Sequence, residues 1–280
     1  MRKDLSFLNF SDDEERRTVS HALDLAYRAI DSDVCASAFL NVREQNLVKT
    51  ALESDGSFCF SFFGGYSDFE RGALLCFPEY MSYSDFMCSG YVAAEGDNLP
   101  QISKLSSDFI TLVKISCSSF TSLTHRDYMG SLLGLGIERS AIGDIIVNGE
   151  HEAYAFILRR MLPYITSELK SVGRSPVKVV ECALSEGARI KQNLRVIDVV
   201  STSLRLDCVV SSLTGISREK SKSMISSALI EHNYFSKAKP DTEVSSSDII
   251  SVRGYGKFRI LDTDTKTTKG KFRIKAAKYV

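Results

Sequence analysis

A chain of 280 residues, 44% of them hydrophobic, is long enough for two or three domains with cores of their own. Its apolar runs fall far short of the roughly 20 residues that cross a bilayer, and the start, "MRKDLSFLNFSDDEE", lacks the apolar centre of a signal peptide, so a cytoplasmic protein with no membrane partner is expected. The net charge of zero conceals an asymmetry: residues 186–280 carry 18 Lys and Arg against 10 Asp and Glu, while residues 1–185 carry 17 against 25. The C-terminal part is therefore the candidate for a polyanionic partner, with nucleic acid the first choice. Seven cysteines without a Cys-x-x-Cys pair and four scattered histidines (His21, His125, His151, His232) predict reduced thiols, no metal site and no cofactor.

The first segment reads as small and mostly helical. Ser11 with Glu14 forms a capping-box pair, and Val19, Ala22, Leu23, Ala26 and Ile30 follow at helical spacing. A second helix is expected from Asn41 to Asp55-Gly56. Phe58, Phe60 and Phe62 then alternate as in a strand with one buried face, ended by Gly64-Gly65. Such a strand is either core or, if its rings are exposed, a base-stacking platform. Ser67 and Glu70 make another capping-box pair. Residues 81–109 are polar and poorly periodic, and read as a long connection.

The middle segment contains His125-Arg126-Asp127, the three letters of a kinase catalytic loop. A kinase needs a metal-binding Asn five residues after the Asp, where this chain has Leu132, and neither a Gly-rich phosphate loop nor Asp-Phe-Gly is present. Thr124 and Asp127 instead have the spacing of a helix cap, with Tyr128, Leu132 and Leu133 as the apolar face. No catalytic residue is expected. Around this helix the chain reads as a strand ("FITLVKISC"), the helix, a hairpin ("DIIV" and "EAYAFI" across Asn148-Gly149), a helix ("LRRMLPYITSELKSV") and a final strand ("PVKVVECAL"). That β-α-β-β-α-β order is characteristic of a ferredoxin-like plait, which hosts many unrelated functions.

The basic end carries the binding signal. Val209, Val210 and Leu213 give a short helix stopped by Gly215, and Ser217 caps a second helix bearing Met224 and Ile225 on one face and Arg218, Lys220 and Lys222 on another. Cationic side chains beside the free amides of a helix start suit phosphate. "ALIEHNYFSKAKP" and "SDIISVRGYGKFRI" read as strands packed beside the pair. Arg205-Leu206-Asp207, Ser217-Arg218, Met224-Ile225, Asn233 and Asp248 together resemble the S4 RNA-binding domain, with Ala228 and Ser247 standing where glycine is usual. The candidate RNA-binding residues are Arg205, Ser217, Arg218, Lys220, Lys222, Asn233, Lys237 and Arg253.

"REQN" (Arg43 to Asn46), "FFGGYSDFER" (Phe62 to Arg71), "LTHRDYMGSLLGLGIERSAIGDIIV" (Leu123 to Val147) and the S4-like end resemble, in that order, the YlmH family of bacterial RNA-binding proteins. The resemblance implies an α+β protein in four parts. These are a small N-terminal α/β domain (1–72), a central ferredoxin-like or RRM-like plait (73–185), a C-terminal αL-type S4 domain (186–265) and a basic extension (266–280). It also implies a non-catalytic partner of large-subunit rRNA and tRNA on the large ribosomal subunit, in rescue and quality control of stalled translation, with links to alanine tailing and cell division. The competing expectation is an RNA-modifying enzyme of the pseudouridine synthase type, which would need a catalytic Asp in a large domain of its own; no such domain is legible.

Overall fold

The computed structural model describes residues 5, 7–56, 58–82, 108–117, 123–187, 194–268 and 270–279, the side chain of Asp264 excepted. Most of the connection expected between residues 81 and 109 lies outside them. The chain is α+β and divides into two compact units, Met1–Lys191 and Gln192–Val280.

The first unit begins with α1 (Asp13–Ile30), β1 (Cys35–Leu40), α2 (Val42–Asp55), β2 (Cys59–Phe63) and β3 (Gly72–Phe77). The strands form an antiparallel sheet in the order β1-β3-β2. The cap of α1 sits one residue later than the expected Ser11–Glu14 pair: Asp12 accepts from the Glu15 amide at 2.9 Å, and Glu15 accepts from the Ser11 amide at 2.7 Å. Glu15 is fixed there by Arg43, 28 residues away, whose Nε lies 2.6 Å from its carboxylate. For α2 the Asn41–Glu44 capping box and the left-handed Gly56 (φ 93°) lie at the expected ends.

Strand β3 is an unbroken apolar run because both of its faces are covered. Leu74 and Cys76 join the core under α1 and α2, and Ala73, Leu75 and Phe77 join the core of the central domain. The expected boundary at residue 72 thus falls where β3 begins, and β3 belongs to the N-terminal sheet. Burial pushes the Cys76 thiol up to about 12, which keeps it unreactive. Phe58, Phe60 and Phe62 are half-buried against the helical core, with Tyr27 edge-on to Phe58 at 5.0 Å, so this aromatic strand is core and lacks the exposed rings of a stacking platform.

The central part contains β4 (Ile110–Cys117), α3 (His125–Gly134), β5 (Ile142–Asn148), β6 (Glu152–Leu158), α4 (Leu162–Glu168), β7 (Ser171–Val172) and β8 (Ser175–Cys182). The strands pair antiparallel in the order β5-β6-β4-β8-β7. The helix expected over residues 158–172 is much shorter. Pro163 lacks an amide hydrogen and its ring excludes a preceding helical turn, so a 3-10 turn covers Arg159–Met161 and the α-helix starts only at Leu162. On α3, Tyr128 and Leu132 are buried as expected, whereas Leu133 is exposed.

The loop between β2 and β3 joins the two parts. No helix forms at Ser67–Glu70, despite the capping-pair spacing, because this segment is held in an irregular turn by distant partners. A Cβ on Gly65 (φ +94°) would lie 2.3 Å from the Phe156 ring, and a Cβ on Gly64 would lie 2.3 Å from Phe69. Only glycines permit this approach, which lets Tyr66 stack on Phe156 with ring centroids 4.9 Å apart. Asp144 on β5 then accepts from the Tyr66 hydroxyl at 2.9 Å, the Glu70 amide at 2.7 Å and the Arg71 amide at 3.2 Å. Arg71 itself donates to the carbonyls of Ile142 and Phe39, each at 3.0 Å, and Gln45 Nε2 donates to the carbonyls of Leu40 and Glu70 at 2.9 and 2.8 Å.

The second unit comprises β9 (Leu194–Ser201), α5 (Leu206–Thr214), α6 (Arg218–Ser226), β10 (Ile230–His232), β11 (Ile249–Val252), β12 (Gly256–Lys266) and β13 (Phe272–Tyr279). The antiparallel sheet has the order β10-β11-β12-β13-β9. Its core joins Leu206, Val209, Val210, Met224 and Ile225 of the helices to Ile250, Phe258, Ile260, Ile274 and Ala276 of the sheet. Residues 266–280, expected to form an extension, contain β13, which pairs with β12 on one side and β9 on the other. The strand expected over residues 228–240 shrinks to the three residues of β10.

Asp144 offers a direct test of the joint. Asp144→Ala removes one acceptor from three donors at once and is expected to destabilise the first unit by about 3 kcal/mol. The readout is a lower urea midpoint for the full chain.

Candidate nucleic-acid interface

Three of the expected cationic residues gather on a single carboxylate. The Asp207 side chain has no exposed surface, yet three half-exposed cations surround it: Arg218 Nε at 2.9 Å, Arg205 Nε at 3.3 Å and Lys222 Nζ at 3.9 Å. Burial alone would raise its pKa, but the hydrogen bonds from Arg218 and Arg205 outweigh burial and hold it below the usual carboxylate range. Both arginines bind through Nε, so their terminal amino groups keep donors for another acceptor. Lys220 is exposed on the same first turn of α6.

The two helix starts differ. At α5, the amides of Leu206 and Asp207 donate to the carbonyls of Thr242 and Pro240, at 2.8 and 3.1 Å, so the chain closes that end itself. At α6, Ser217 Oγ accepts from the Lys220 amide at 3.2 Å, and the amides of Arg218 and Glu219 have no acceptor among the described residues. Free amides, the positive end of the helix dipole and the cations held by Asp207 therefore coincide at α6.

Asn233, Lys237 and Arg253 are placed differently. Asn233 adopts φ 51°, its amide group donates to Asp248 at 2.8 Å, and its side-chain oxygen accepts from the Ile249 amide at 2.8 Å. It latches the segment between β10 and β11. His232 Nε2 lies 2.7 Å from the other oxygen of Asp248, which also accepts from the Ser245 amide at 2.8 Å. Although burial opposes it, these bonds hold Asp248 below the usual carboxylate range. Lys237 is exposed on the same segment, and Arg253 is exposed at the end of β11, its amide bonded to the Leu229 carbonyl at 3.0 Å. Ala228 (φ 53°) and Ser247 (φ 75°), the two departures from the S4-like pattern, both adopt the left-handed conformation that glycine would take without strain.

In the central domain, the Asp127 carboxylate accepts from the Thr124 amide and hydroxyl, each at 2.7 Å, and these bonds lower its pKa. It caps α3, as the spacing predicts. One side of the domain carries an open groove of about 490 Å³ lined in part by Arg126, Gly130, Gly134, Lys170 and Gly173, with Asp127 and Glu168 among them. On the sheet, Lys114 pairs with Glu152 and lies 5.9 Å from the Tyr154 ring centroid, while Phe156 is covered by Tyr66. No group of three His, Cys, Asp or Glu residues suited to a metal occurs among the described residues.

Residues 105–186 match the family model described as "Putative RNA-binding domain in YlmH". Over 238 residues, 84% of each chain, the sequence is 27% identical to "Ribosome-associated protein quality control protein P2" of Bacillus subtilis (strain 168). The chain is thus similar to YlmH-type proteins, most specifically over its central domain. A solved structure titled "Cell division protein ylmH from Streptococcus pneumoniae" is similar at 23% identity and a TM-score of 0.49, over 65% of this chain and 98% of that one. The YlmH match falls on the central domain, whereas the Asp207 cluster lies outside it in the second unit. Asp207 is the organising residue that a search for cations overlooks; its signal is a carboxylate between Arg205 and a second arginine 11 positions on.

Asp207 and Asp248 give this chain a defined acid lability. Their folded pKa values lie below the unfolded value of about 3.9, so their stabilisation is complete above about pH 5 and disappears as pH falls through the folded values. Thermal melts between pH 7 and 2 should show this loss. Asp207→Asn should cost about 2 kcal/mol at neutral pH and shallow the acid slope. In the opposite direction, Ala228→Gly and Ser247→Gly should each stabilise the fold by up to about 1 kcal/mol, read as a higher melting temperature.

Proposed function

We propose that this chain is a non-catalytic, cytoplasmic RNA-binding factor that docks on the large ribosomal subunit and contacts rRNA and tRNA there, in the rescue and quality control of stalled translation. The observation that carries the reading is the start of α6, where Arg205, Arg218 and Lys222 converge on buried Asp207 beside two free amides and Lys220. Three cations on one carboxylate leave a net positive, pre-positioned surface suited to a phosphate backbone. In this reading the second unit is an S4 domain of the αL type and the central domain a ferredoxin-like plait. The match of residues 105–186 to an RNA-binding domain model and the similarity to a ribosome-associated quality control protein of Bacillus subtilis support it.

Within the proposal, Arg205, Arg218, Lys220 and Lys222 meet phosphates, Ser217 holds the helix start, and Lys237 and Arg253 extend the surface. Asn233 acts indirectly by fixing the segment after β10. The central domain supplies a second foothold within the same molecule, so the gain depends on how well both fit one RNA surface.

The full chain with Arg218→Ala, Lys220→Ala and Lys222→Ala together should bind RNA more weakly. Its log–log salt slope should be flatter by roughly one for each phosphate that these side chains neutralise in the parent. The same variant should leave the large-subunit fraction of a ribosome gradient at lower salt than the parent. Unchanged affinity, slope and sedimentation would sink the assignment.

A further inference from the structure

Residues 105–186, the span that matches an RNA-binding domain model, carry no open aromatic face on their described sheet. A sheet that binds RNA stacks bases on exposed rings. Here Ala155, Phe156, Ile157 and Leu158 are buried in succession, so both faces of β6 are covered at that end, and Tyr66 lies flat on Phe156. At the other end Tyr154 is half-buried, and Lys114 beside it is paired with Glu152. An RNA contact of this domain therefore needs another surface.

The open groove of about 490 Å³ supplies one. Arg126, Gly130 and Gly134 of α3 line one side of it, and Lys170 and Gly173, between α4 and β8, line the other. The Gly173 amide donates to Ser131 Oγ at 3.3 Å, which ties the two sides together. The side chains of Arg126 and Lys170 are exposed and make no hydrogen bond or ion pair with any described residue, and the same holds for Arg174 beside Gly173. A Cβ on Gly130 would meet no atom within 4 Å, so packing within the chain does not require this glycine. Glycine inside an exposed helix is destabilising relative to other residues, and here it leaves the surface of α3 bare. Two carboxylates also line the groove, but Asp127 is bonded to the Thr124 amide and hydroxyl, and Glu168 accepts from the Ser167 hydroxyl at 3.0 Å.

We propose that the central domain holds RNA in this groove by its sugar–phosphate backbone, with Arg126 and Lys170 on phosphates and the strand lying over Gly130. The inference rests on the reading of the chain as an RNA-binding factor and adds to it a second site and a mode of contact. Unclaimed cations on both sides of an open floor suit a polyanion, whereas both carboxylates already have donors. Backbone contacts position a strand without reading its sequence, so hairpins of unrelated sequence should bind alike.

The test uses the full chain, fluorescence anisotropy at several salt concentrations, and two labelled RNA hairpins of unrelated sequence. The Arg126→Ala, Lys170→Ala double variant should bind both more weakly, with a salt slope lower by about 1.8, the value for two duplex phosphates. Gly130→Gln adds bulk without charge. It should weaken binding by about tenfold, the scale of one lost hydrogen bond to a charged group, while raising the melting temperature of the chain. Glu168→Gln should tighten binding by about threefold, and Glu150→Gln, exposed outside the groove, should change it less. The α6 triple variant should weaken binding independently, which separates the two sites.

Parental RNA binding by both the double variant and Gly130→Gln would overturn the proposal while leaving the helix-start reading in place. A double variant that binds both hairpins as the parent does, yet leaves the large-subunit fraction of a ribosome gradient at lower salt, would give the groove to a protein and also overturn it. A parent chain that binds neither hairpin would remove the underlying reading as well.

Discussion

A carboxylate withdrawn from water must be supplied with hydrogen bonds, and the architecture of this chain is arranged around meeting that demand. Asp144 meets it with neutral donors, two backbone amides and a phenol, all from the loop between β2 and β3. Burial raises its pKa against those bonds, so the joint between the N-terminal sheet and the central sheet tolerates little change in the donors. Asp207 meets the same demand with cations and reaches the opposite electrostatic result. One carboxylate closes an interior, and the other presents a charged surface.

The local signals are legible because their physics is local. The Asn41 and Ser217 caps, the stops at Gly56 and Gly215, and the turn at Asn148-Gly149 each involve residues within one turn of chain. The pairing of distant strands is not legible. β3 reads as a short apolar run that periodicity cannot assign, since its alternation is erased when both faces are covered. β9 and β13 lie at opposite ends of the second unit, and neither stands out until they pair. At the start of α1 the cap forms at Asp12 and Glu15 in place of the expected Ser11–Glu14 pair, and Arg43 on the next helix, out of reach of a local pattern, holds Glu15 there.

The candidate site divides along the same line. Arg205, Arg218 and Lys222 share one environment because α5 and α6 are consecutive and joined by a tight left-handed turn at Gly215, so their meeting follows from a short motif. Asn233 belongs to the same pattern, but its side chain turns inward to Asp248 and Ile249, a role that the motif alone does not separate from ligand binding. Arg126 and Lys170 come together only because the turn between β7 and β8 packs on α3, with Gly173 bonded to Ser131 across 42 residues that no sequence pattern joins.

The stacking of Tyr66 on Phe156 has a consequence for how the polypeptide is partitioned during synthesis and in evolution. The span matched by the family model, residues 105–186, is smaller than the packed body to which it belongs. Cut free of what precedes it, that span would bare Phe156 and leave Asp144 stripped of its donors, along with the apolar surface now met by Phe39, Phe63, Leu75 and Phe77. Recombination that shuffled this segment between proteins would have to carry the preceding sheet with it. The unit that the packing defines is therefore the pair, of which the recognised segment is one half.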